Sequence, residues 1–467
     1  MSDSHQFHPT LLREYDIRGV IGETLGEDDA YHVGRSFGSV VARRGGTRIC
    51  LGYDGRLSSP DMAAAVARGF VDCGLEVLEV GRGPTPMLYF SVHHLTADAG
   101  LMITGSHNPP NYNGFKMMLG PGLGGSGALY GADIRALGDI AETGDYVSGA
   151  GSRSERPVFD AYVGRLLEEF EGGDRPLTVA WDAGNGAAGE VMTALTRRLP
   201  GRHLTLFADI DGTFPNHHPD PTVPETLADL CTTVTSEGCD LGIAFDGDGD
   251  RIGVVDGQGR MLYADQLLIA FARDLLDARP GATVIADVKA SQVLFDAVAD
   301  AGGAPLMYKT GHSLIKAKMK EIGAPIAGEM SGHIFFADRY YGFDDALYAA
   351  VRLLRVLANG APSLAELHDG LPPIVNTPEL RFPCAEDRKV PVIEEVRARL
   401  AEAGAEVDAT DGVRVSSEDG WWLLRASNTQ DVLVARCEAG DEAALDRLKA
   451  QLSAQLAASG LALPDGS

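Results

Sequence analysis

The feature of the sequence that most restricts its fold is a pattern that occurs three times. Each copy is an apolar run that ends in an aspartate (Asp54, Asp182 or Asp287), passes through small polar residues and enters an alanine-rich segment. Such a succession is typical of a strand, a loop and a helix. In the first copy, Ser59 is the predicted N-cap of the helix and Pro60 its first residue. The repeat predicts α/β layers with parallel sheet, in three similar α/β domains.

The C-terminal part of the chain lacks this repeat. Residues 371–380, "LPPIVNTPEL", carry turn-forming residues and mark a predicted linker. A helix, short strands around residues 421–424 and 432–434, and a closing helix follow, which is typical of a smaller α+β unit. Because 467 residues exceed one ordinary core, we predict four domains. Their limits are 1–152, 153–257, 258–371 and 372–467.

The composition restricts the partners of the chain. A formal net charge of -26 argues against nucleic acid and anionic membranes as partners, and an anionic substrate would need a local basic cluster. The sequence has no apolar run of about 18 residues and no basic-then-apolar N-terminus, so we expect a cytoplasmic protein without a membrane partner. The cysteines form no C-x-x-C pair and are predicted to be reduced thiols. They are Cys50, Cys73, Cys231, Cys239, Cys384 and Cys437.

The strongest metal signal is "GIAFDGDGDRIGVVD", in which Asp246, Asp248 and Asp250 alternate with glycines between two apolar strands. Carboxylates this close repel one another unless a hard cation lies among them, and an oxygen-only set suits Mg²⁺. An EF-hand is excluded, because its sixth position requires Gly and its twelfth Glu, where this chain has Arg251 and Gly257. The alternative is an acidic hairpin turn, since Asp-Gly pairs favour turns.

A second motif, "GLMITGSHNPPNYNGFKMML", holds Ser106 in a loop rich in proline and glycine. It does not fit the G-x-S-x-G pattern of a hydrolase nucleophile, and a serine esterase would leave the aspartate loop unexplained. A serine that carries a phosphoryl group explains both, because Mg²⁺ neutralises phosphate oxygens during transfer. His107 would then contact the phosphate, and Lys116 would act as a cation or proton carrier. An ordinary turn serine remains the alternative.

Two further segments are predicted to recognise a sugar phosphate. In "IAGEMSGHIFF", Glu329, Ser331 and His333 alternate, so we expect them to project to one side of an extended segment and to suit adjacent sugar hydroxyls. In "LLRASNTQD", polar groups follow an apolar strand and form a predicted phosphate cradle. These are Arg425, Ser427, Asn428 and Thr429. The alternatives are a polar strand edge and a polar turn, respectively.

Weaker signals come from histidine-containing segments. His312, in a turn led by glycine, is a candidate acid or base, while the following lysines are expected on a solvated helix face: Lys316, Lys318 and Lys320. The segment "PNHHPDP" at 215–221 is interpreted as a structured loop, not a metal site, because it lacks a third spaced ligand. "EYDIRG" contributes Tyr15 and Arg18 near the N-terminus.

Taken together, TGSHNPP, DGDGDR, GEMSGH and RASNT, in this order, resemble the α-D-phosphohexomutase superfamily. "GYDGRLSSP", "DAGNGAAG" and "YYGFDDALYAAVRLL" resemble further segments of that family. GEMSGH favours the bacterial phosphomannomutase/phosphoglucomutase branch, since the glucosamine branch usually carries GEQSGH. The resemblance implies an α/β fold of three similar mixed-sheet α/β domains plus a smaller α+β C-terminal domain around a central cleft.

The resemblance also implies roles for single residues. Phosphorylated Ser106 would hold one Mg²⁺ per chain with Asp246, Asp248 and Asp250. Glu329 and Ser331 would contact the sugar 3- and 4-hydroxyls, and the cradle of Arg425, Ser427, Asn428 and Thr429 would bind the phosphate that does not react. The reacting end would be lined by Tyr15, Arg18, His107, Lys116, Arg251, His312 and His333. Lys116 and His312 are the candidates for general acid/base catalysis.

The implied activity is a phosphohexomutase, an isomerase of carbohydrate metabolism. It would interconvert the 1- and 6-phosphates of mannose and glucose through a phosphoserine enzyme and a hexose 1,6-bisphosphate, which is both intermediate and activator. The alternatives are a phosphoglucosamine mutase, a Mg²⁺-dependent sugar phosphatase and a catalytically silent sugar-phosphate binder. We expect a monomer, with a dimer as the alternative, and a hinge at residues 371–380 that lets the cleft close.

Overall fold

The structure is a computed structural model that describes residues 4–124, 127–173, 175–427 and 431–463. The described residues form four β-sheets, in chain order, each with its own helices. Within these ranges no helix is both long and apolar enough to cross a bilayer. The six cysteines all lie in the described ranges and are free thiols.

The first sheet has the strand order β1-β5-β4-β2-β3-β6. Its strands are β1 (Ile17–Val20), β2 (Arg48–Tyr53), β3 (Glu76–Arg82), β4 (Ala99–Ile103), β5 (Tyr112–Leu119) and β6 (Ser152–Glu155). Its helices are α1 (Glu27–Arg43), α2 (Ser59–Asp72), α3 (Thr85–His94) and α4 (Ala132–Thr143). The predicted start of α2 is wrong by one residue, because Ser58 is the N-cap. Ser59 instead donates its hydroxyl to Asp54 Oδ1 at 2.6 Å.

The second and third sheets have the orders β11-β10-β9-β7-β8 and β13-β12-β14-β15. The second contains β7 (Leu177–Asp182), β8 (Gly201–Leu206), β9 (Leu241–Phe245), β10 (Ile252–Asp256) and β11 (Met261–Leu262), with helices α5 (Phe159–Leu167), α6 (Gly189–Thr196) and α7 (Ala228–Glu237). The third contains β12 (Thr283–Asp287), β13 (Ala304–Tyr308), β14 (Ile326–Gly328) and β15 (Ile334–Phe336). Its helices are α8 (Ala264–Ala278), α9 (Gln292–Asp300), α10 (His312–Ile322), α11 (Ala346–Ala358) and α12 (Leu364–Asp369).

The fourth sheet is antiparallel, in the order β16-β21-β20-β19-β18, and β17 also pairs with β21. Its strands are β16 (Val375–Asn376), β17 (Leu380–Pro383), β18 (Glu406–Asp408), β19 (Val413–Ser417), β20 (Gly420–Ala426) and β21 (Val432–Ala439). Its helices are α13 (Glu386–Glu402) and α14 (Glu442–Ala458). The domain limits stay predictions: the limit after residue 152 falls inside β6, and the limit after 257 precedes β11, which pairs with β10.

The first three sheets contain both parallel and antiparallel strand pairs, so the predicted mixed-sheet α/β fold is confirmed. In each, the strand of the repeat (β2, β7 or β12) lies parallel to its two neighbours. Toward one edge of each sheet the pairing then becomes antiparallel, at β4–β5, β9–β10 or β14–β15. The reason is the connection length, since strands joined by a short loop can only pair antiparallel, whereas a helical crossover permits parallel pairing.

The first three sheets share a hydrophobic core, and the fourth sheet has its own. One continuous core joins buried side chains of the first three sheets, including Leu78, Trp181 and Leu347. The fourth sheet has a separate core, and a small cluster of Val288, Trp421 and Leu423 connects it to the third. Loops of the first three sheets are therefore fixed relative to one another by a common core, while those of the fourth are not.

Candidate active site

Four of the motifs that the sequence singled out for chemistry lie in or next to a loop that joins two antiparallel strands. The β4–β5 loop carries Ser106, the β9–β10 loop the three aspartates, and the β14–β15 loop Glu329. The β20–β21 loop follows Arg425. The repeated topology thus brings a polar loop to the equivalent edge of each of the first three sheets.

Ser106 is buried, with 3% of its surface exposed. Its hydroxyl donates to Asp246 Oδ2 at 3.0 Å, and its backbone N–H donates to Thr104 Oγ1 at 2.8 Å. Its φ of 47° lies in the left-handed region, which costs a residue other than glycine about 1 kcal/mol or more. Strain of this kind persists only where the surroundings impose it, and here it aims the hydroxyl at the aspartate loop.

The surroundings of Ser106 are organised by a residue to which the sequence analysis assigned no role, Arg56. Its guanidinium is 1% exposed and donates to four backbone carbonyls of the serine loop. They belong to Pro109 (2.6 Å), Tyr112 (3.0 Å), Ser106 (2.7 Å) and Asn108 (2.6 Å). Asp54 Oδ2 lies 3.2 Å from Arg56 Nε, so the buried cation is paired. One side chain therefore fixes both ends of the loop.

The aspartates of the repeat anchor loops. Asp54 accepts the N–H of Gly105 at 3.1 Å. Asp287 accepts the N–H of Met330 at 3.1 Å, beside Glu329 in the third sheet's hairpin. Asp182 accepts the N–H of Gly184 at 2.7 Å in its own turn. In two of the three copies, the aspartate thus ties the central strand to the hairpin loop that carries the predicted site residue.

Asp246, Asp248 and Asp250 are completely buried, and their ligand atoms lie within 4.8 Å of one another. Burial, together with the charges of Asp248 and Asp250, raises the pKa of Asp246 well above its usual value. Asp248 Oδ1 and Asp250 Oδ1 are buried and have no hydrogen-bond partner among the described residues. An all-oxygen cluster with unsatisfied buried oxygens fits a hard divalent cation such as Mg²⁺.

Lys116, on β5, reaches the same loop from the first sheet. Its Nζ lies 2.7 Å from Asp248 Oδ2 and 2.5 Å from Asp250 Oδ2. Burial alone would lower the pKa of this ammonium, but the carboxylates outweigh burial and the pKa lies well above its usual value. Conversely, Lys116 overcomes the effect of burial on Asp248 and lowers the pKa of that carboxyl. Lys116 is therefore held as a cation against the aspartate loop that Ser106 also contacts.

His107 is oriented by a residue of the "PNHHPDP" loop. Its Nδ1 lies 2.8 Å from Asp220 Oδ2. Burial and the nearby charge of Arg251 lower the pKa of His107 to about 4. This leaves a neutral ring whose Nδ1 side is occupied by Asp220. The loop that the sequence analysis considered only structural thus contributes a positioning carboxylate; its one signal was an aspartate beside two histidines.

His312 and His333 form a second histidine group, stacked with ring centroids 5.3 Å apart. The buried Asp344 joins them, with its Oδ2 lying 3.4 Å from His312 Nδ1 and 3.1 Å from His333 Nδ1. Lys316 Nζ donates to Asp344 Oδ1 at 2.7 Å. Burial and Lys316 lower the pKa of His312 to about 4, so its imidazole is neutral near pH 7.

The solvated-face prediction is wrong for Lys316, which is 6% exposed. Lys316 lies four residues after His312 on α10, and residues at this spacing share a helix face. Asp344 was missed as well. It lies in a segment quoted for the family resemblance, but nothing in the sequence marked it as the partner of two histidines.

The prediction that Glu329, Ser331 and His333 share one side of an extended segment is wrong. The segment is a turn, in which the N–H of Glu329 donates to the carbonyl of His333 at 2.9 Å and Gly332 adopts a φ of 92°. Glu329 Oε1 accepts the N–H of Gly311 at 2.7 Å, and burial raises the pKa of its carboxyl. Ser331 is half-buried. The glycine allows the tight turn, which sends the two ends of the motif to different partners.

The remaining residues predicted for the reacting end lie around these groups. Arg18 donates to the carbonyl of Gly105 and to Asp16. Arg251 Nε donates to His333 Nε2 at 3.1 Å. Tyr15 donates its hydroxyl to the carbonyl of Thr310 at 2.9 Å, and its ring centroid lies 6.1 Å from that of His312.

The fourth sheet contributes Arg425, which is 5% exposed. Its Nε donates to Asp411 Oδ2 at 2.9 Å, while its Nη2 is buried and has no partner among the described residues. Asp411 also accepts the N–H of Thr310 at 3.0 Å, which links this sheet to the third. The carbonyl of Ser427 accepts from Lys389 Nζ at 2.8 Å. Asn428 and Thr429 lie outside the described residues.

The chain is similar to known proteins over most of its length. Four models described as phosphoglucomutase/phosphomannomutase match it: alpha/beta/alpha domain I at residues 9–128, domain II at 160–259, domain III at 263–374 and the C-terminal domain at 379–455. A phosphomannomutase/phosphoglucomutase of Pseudomonas aeruginosa is 43% identical over 455 residues, which cover 97% of each chain. A phosphoglucomutase of Neisseria meningitidis is 45% identical, with 95% of this chain and 96% of the relative covered.

A solved structure gives the same match in three dimensions. A phosphoglucomutase/phosphomannomutase family protein from Burkholderia thailandensis aligns with a TM-score of 0.91 and 44% identity, covering 98% of this chain and 100% of that one. The similarity therefore extends over nearly the whole chain.

Proposed function

This chain belongs to the phosphoglucomutase/phosphomannomutase family, and from that membership we propose that it interconverts hexose 1-phosphates and hexose 6-phosphates as an isomerase. The substrates we propose are the mannose and glucose phosphates, since the name of the Pseudomonas aeruginosa relative combines both activities and the Neisseria meningitidis relative is named a phosphoglucomutase. The hydroxyls that Glu329 and Ser331 would contact are common to the two sugars.

The observation that carries the proposal is the contact between Ser106 and the aspartate loop. Its hydroxyl lies 3.0 Å from Asp246 Oδ2, in a cluster of carboxylates that leaves two buried oxygens unsatisfied. Phosphorylated Ser106, Asp246, Asp248 and Asp250 would together hold one Mg²⁺. This cation would neutralise the charge on the oxygens of the phosphoryl group during transfer.

In the forward half-reaction, a sugar hydroxyl attacks the phosphorus of phosphorylated Ser106. A new P–O bond to the sugar forms, the P–O bond to Ser106 breaks, and the hydroxyl proton passes to a base. The product is a hexose 1,6-bisphosphate, which reorients and returns its other phosphoryl group to Ser106. The phosphoserine is thereby restored, and the net reaction is isomerisation.

We assign the proton transfer to His312 and the electrostatic role to Lys116. With a pKa of about 4, the imidazole of His312 is neutral near pH 7 and able to accept a proton. Lys116 has a raised pKa and keeps its proton, so it suits stabilisation of negative charge. Arg18, His107 and Arg251 add positive or hydrogen-bonding groups at the reacting end. Tyr15 and His333 complete its lining.

The distal phosphate would be bound by Arg425, Ser427, Asn428 and Thr429. Nη2 of Arg425, which is buried and has no partner among the residues that the structure describes, supports this role, because a buried guanidinium nitrogen needs an acceptor. Each end of the bisphosphate must fit both the reacting and the distal position, so one cradle serves two orientations. Residues 371–380 would act as the hinge that closes the cleft. We further propose a cytoplasmic protein that is active as a monomer.

The proposal is tested by a coupled assay with mannose 1-phosphate, glucose 1-phosphate and glucosamine 1-phosphate, with and without glucose 1,6-bisphosphate. We expect turnover of the first two, stimulated by the bisphosphate, and its abolition by Ser106→Ala. Ser58→Ala serves as the matched control, because the Ser58 hydroxyl accepts from Asn113, at the start of β5, and among the described residues makes no bond to the aspartate loop. Free phosphate as the main product would indicate a phosphatase, and preference for glucosamine 1-phosphate a phosphoglucosamine mutase. Full activity of Ser106→Ala would refute the mechanism.

A further inference from the structure

A group of potential metal ligands lies outside the active site, where the N-terminal segment crosses the start of α1. It consists of His5, Asp28 and His32, which the proposed mutase reaction does not use. The ligand atoms of the three side chains lie within 4.8 Å of one another. His5 comes from the segment before β1, whereas Asp28 and His32 are one turn apart on α1 and share a helix face.

The geometry of the group suits a single ion. His5 Nδ1 lies 3.4 Å from Asp28 Oδ2, and His32 Nε2 lies 3.9 Å from Asp28 Oδ1. The two imidazole rings are nearly parallel, with centroids 4.3 Å apart and an interplanar angle of 4°. Both rings therefore present a nitrogen toward the same carboxylate. The Asp28 side chain is 81% exposed, which leaves room for water molecules in the remaining coordination positions.

The opposite nitrogen of each histidine is held by another polar group. His5 Nε2 lies 2.8 Å from Asp29 Oδ1, and His32 Nδ1 lies 2.7 Å from the hydroxyl of Tyr146. Metal-binding histidines show this arrangement because the bond at one nitrogen fixes the tautomer and the orientation of the other. The backbone N–H of His5 also donates to the carbonyl of Ala141 at 2.8 Å, so the segment is fixed in place.

We propose that His5, Asp28 and His32 bind one divalent transition metal of the zinc, nickel, cobalt and copper class. Two imidazole nitrogens and a carboxylate favour these metals over Mg²⁺ and Ca²⁺, which prefer oxygen ligands. The site is chemically distinct from the all-oxygen cluster beside Ser106. Bound metal would fasten the N-terminal segment to α1 and, through Tyr146, to the chain that leads into β6.

The test is a titration of the full-length protein with Co²⁺, in the presence of excess Mg²⁺, followed by visible absorption and calorimetry. We expect the wild type to bind one more Co²⁺ per chain than the His5→Ala/His32→Ala double variant, and Zn²⁺ to displace it. His8→Ala is the matched control, since His8 lies in the same segment but its ring, among the described residues, is hydrogen-bonded to Thr10 and not to the three proposed ligands, and it should retain the site. Asp29→Asn should weaken binding by about 10- to 100-fold, because Asp29 holds the opposite nitrogen of His5.

Two controls distinguish loss of the metal site from misfolding or damage to the proposed active site. Mutase activity with Mg²⁺ should be the same in all four proteins, because none of these residues belongs to the proposed active site. If the double alanine variant does not fold, His5→Gln/His32→Gln retains side-chain size and hydrogen bonding and should equally lose the metal. Equal Co²⁺ stoichiometry and affinity in the wild type and a folded double variant would overturn the proposal. The same holds if Asp248→Asn alone removes every bound Co²⁺, since the metal would then belong to the aspartate loop.

Discussion

The loops at the two ends of the proposed cleft differ in how they are held. The Ser106 loop is fixed by Arg56, which binds four of its carbonyls, and by Asp54, which binds the N–H of Gly105. In the described part of the β20–β21 loop, by contrast, Arg425 has one carboxylate partner, Asp411, and keeps a nitrogen unsatisfied. The Ser106 loop is held in place without substrate, whereas Arg425, in the described part of the distal end, retains a nitrogen that a ligand would satisfy.

The hydrophobic cores beneath the two ends of the proposed cleft also differ. The serine and aspartate loops rest on sheets that share one continuous core, while the fourth sheet has its own. The fourth sheet holds the third mainly through polar contacts: Arg414 donates to the carbonyls of Val288 and Ala290 at 2.8 Å each, and Arg436 to that of Lys289 at 2.6 Å. Phosphoryl transfer depends on precise positioning, so rigidity is expected at the reacting end. A phosphate that arrives in two orientations favours an adaptable distal end.

The largest effect is expected from a change within the reacting end itself. Asp248→Asn removes one carboxylate charge from the cluster and weakens the hold of the loop on both Lys116 and Mg²⁺. We expect kcat/KM to fall by about 10³-fold and the Mg²⁺ dependence of the residual activity to weaken. The coupled mutase assay at varied Mg²⁺ measures both. Normal activity with an unchanged Mg²⁺ dependence would remove Asp248 from the site.

The second-largest effect is expected from removal of Arg56, which holds the Ser106 loop but is not one of the reacting groups. Arg56→Ala deletes the bonds to the four carbonyls and leaves Asp54 buried without its cation. We expect kcat to fall by about 10²-fold through misplacement of Ser106, with little change in KM. The free energy of unfolding should fall by about 3–5 kcal/mol. Arg68→Ala, an exposed arginine on α2, is the control and should change neither quantity.

If Arg56→Ala is too unstable to purify, Arg56→Lys tests the same point. Lysine keeps the charge beside Asp54 but lacks the planar fork that reaches several carbonyls at once. A kcat equal to that of the wild type in Arg56→Lys would show that the position of Ser106 does not depend on these bonds.

The features of the fold and of the site that depend on residues close together in the chain were predictable from the sequence. The repeat of strand, aspartate and helix reflects local periodicity, and it correctly indicated three α/β domains. It did not indicate the antiparallel edges, because the repeat contains the crossovers but not the hairpins. The three predicted aspartates do form a cluster, because alternate residues of one short loop are close together in space.

What the sequence did not reveal are partners brought together over long separations. Asp220 lies 113 residues from His107 and Arg56 lies 52 residues from Asn108, so only the fold joins them. The acceptors of Arg56 are backbone carbonyls, which every residue carries and which leave no trace in side-chain patterns. The extended interpretation of the Glu329 motif failed because alternation is also compatible with a turn when a glycine such as Gly332 occupies the left-handed position.

At the distal end, the expected effects are smaller and appear in KM. Arg425→Lys keeps the positive charge but loses the fork that binds two phosphate oxygens. We expect the KM for glucose 1-phosphate to rise by about 10-fold, with kcat lowered less, because the group acts on binding and not on the bonds that change. Steady-state kinetics with glucose 1-phosphate and mannose 1-phosphate measure this. A selective loss of kcat would place Arg425 at the reacting end instead.

The smallest effect is expected from the carboxylate that supports this arginine. Asp411→Asn keeps an oxygen that can accept from Arg425 and from the N–H of Thr310 but removes the charge. Because Asp411 is partly exposed (16% of its side chain), we expect the KM to change by only about two- to fivefold. Asp54→Asn is the matched change at the reacting end, where the carboxylate is 2% exposed and pairs with a buried guanidinium. The fold-decrease in kcat caused by Asp54→Asn should exceed the fold-increase in KM caused by Asp411→Asn. Equal effects of the two variants on kcat would mean that the ends of the cleft are held alike.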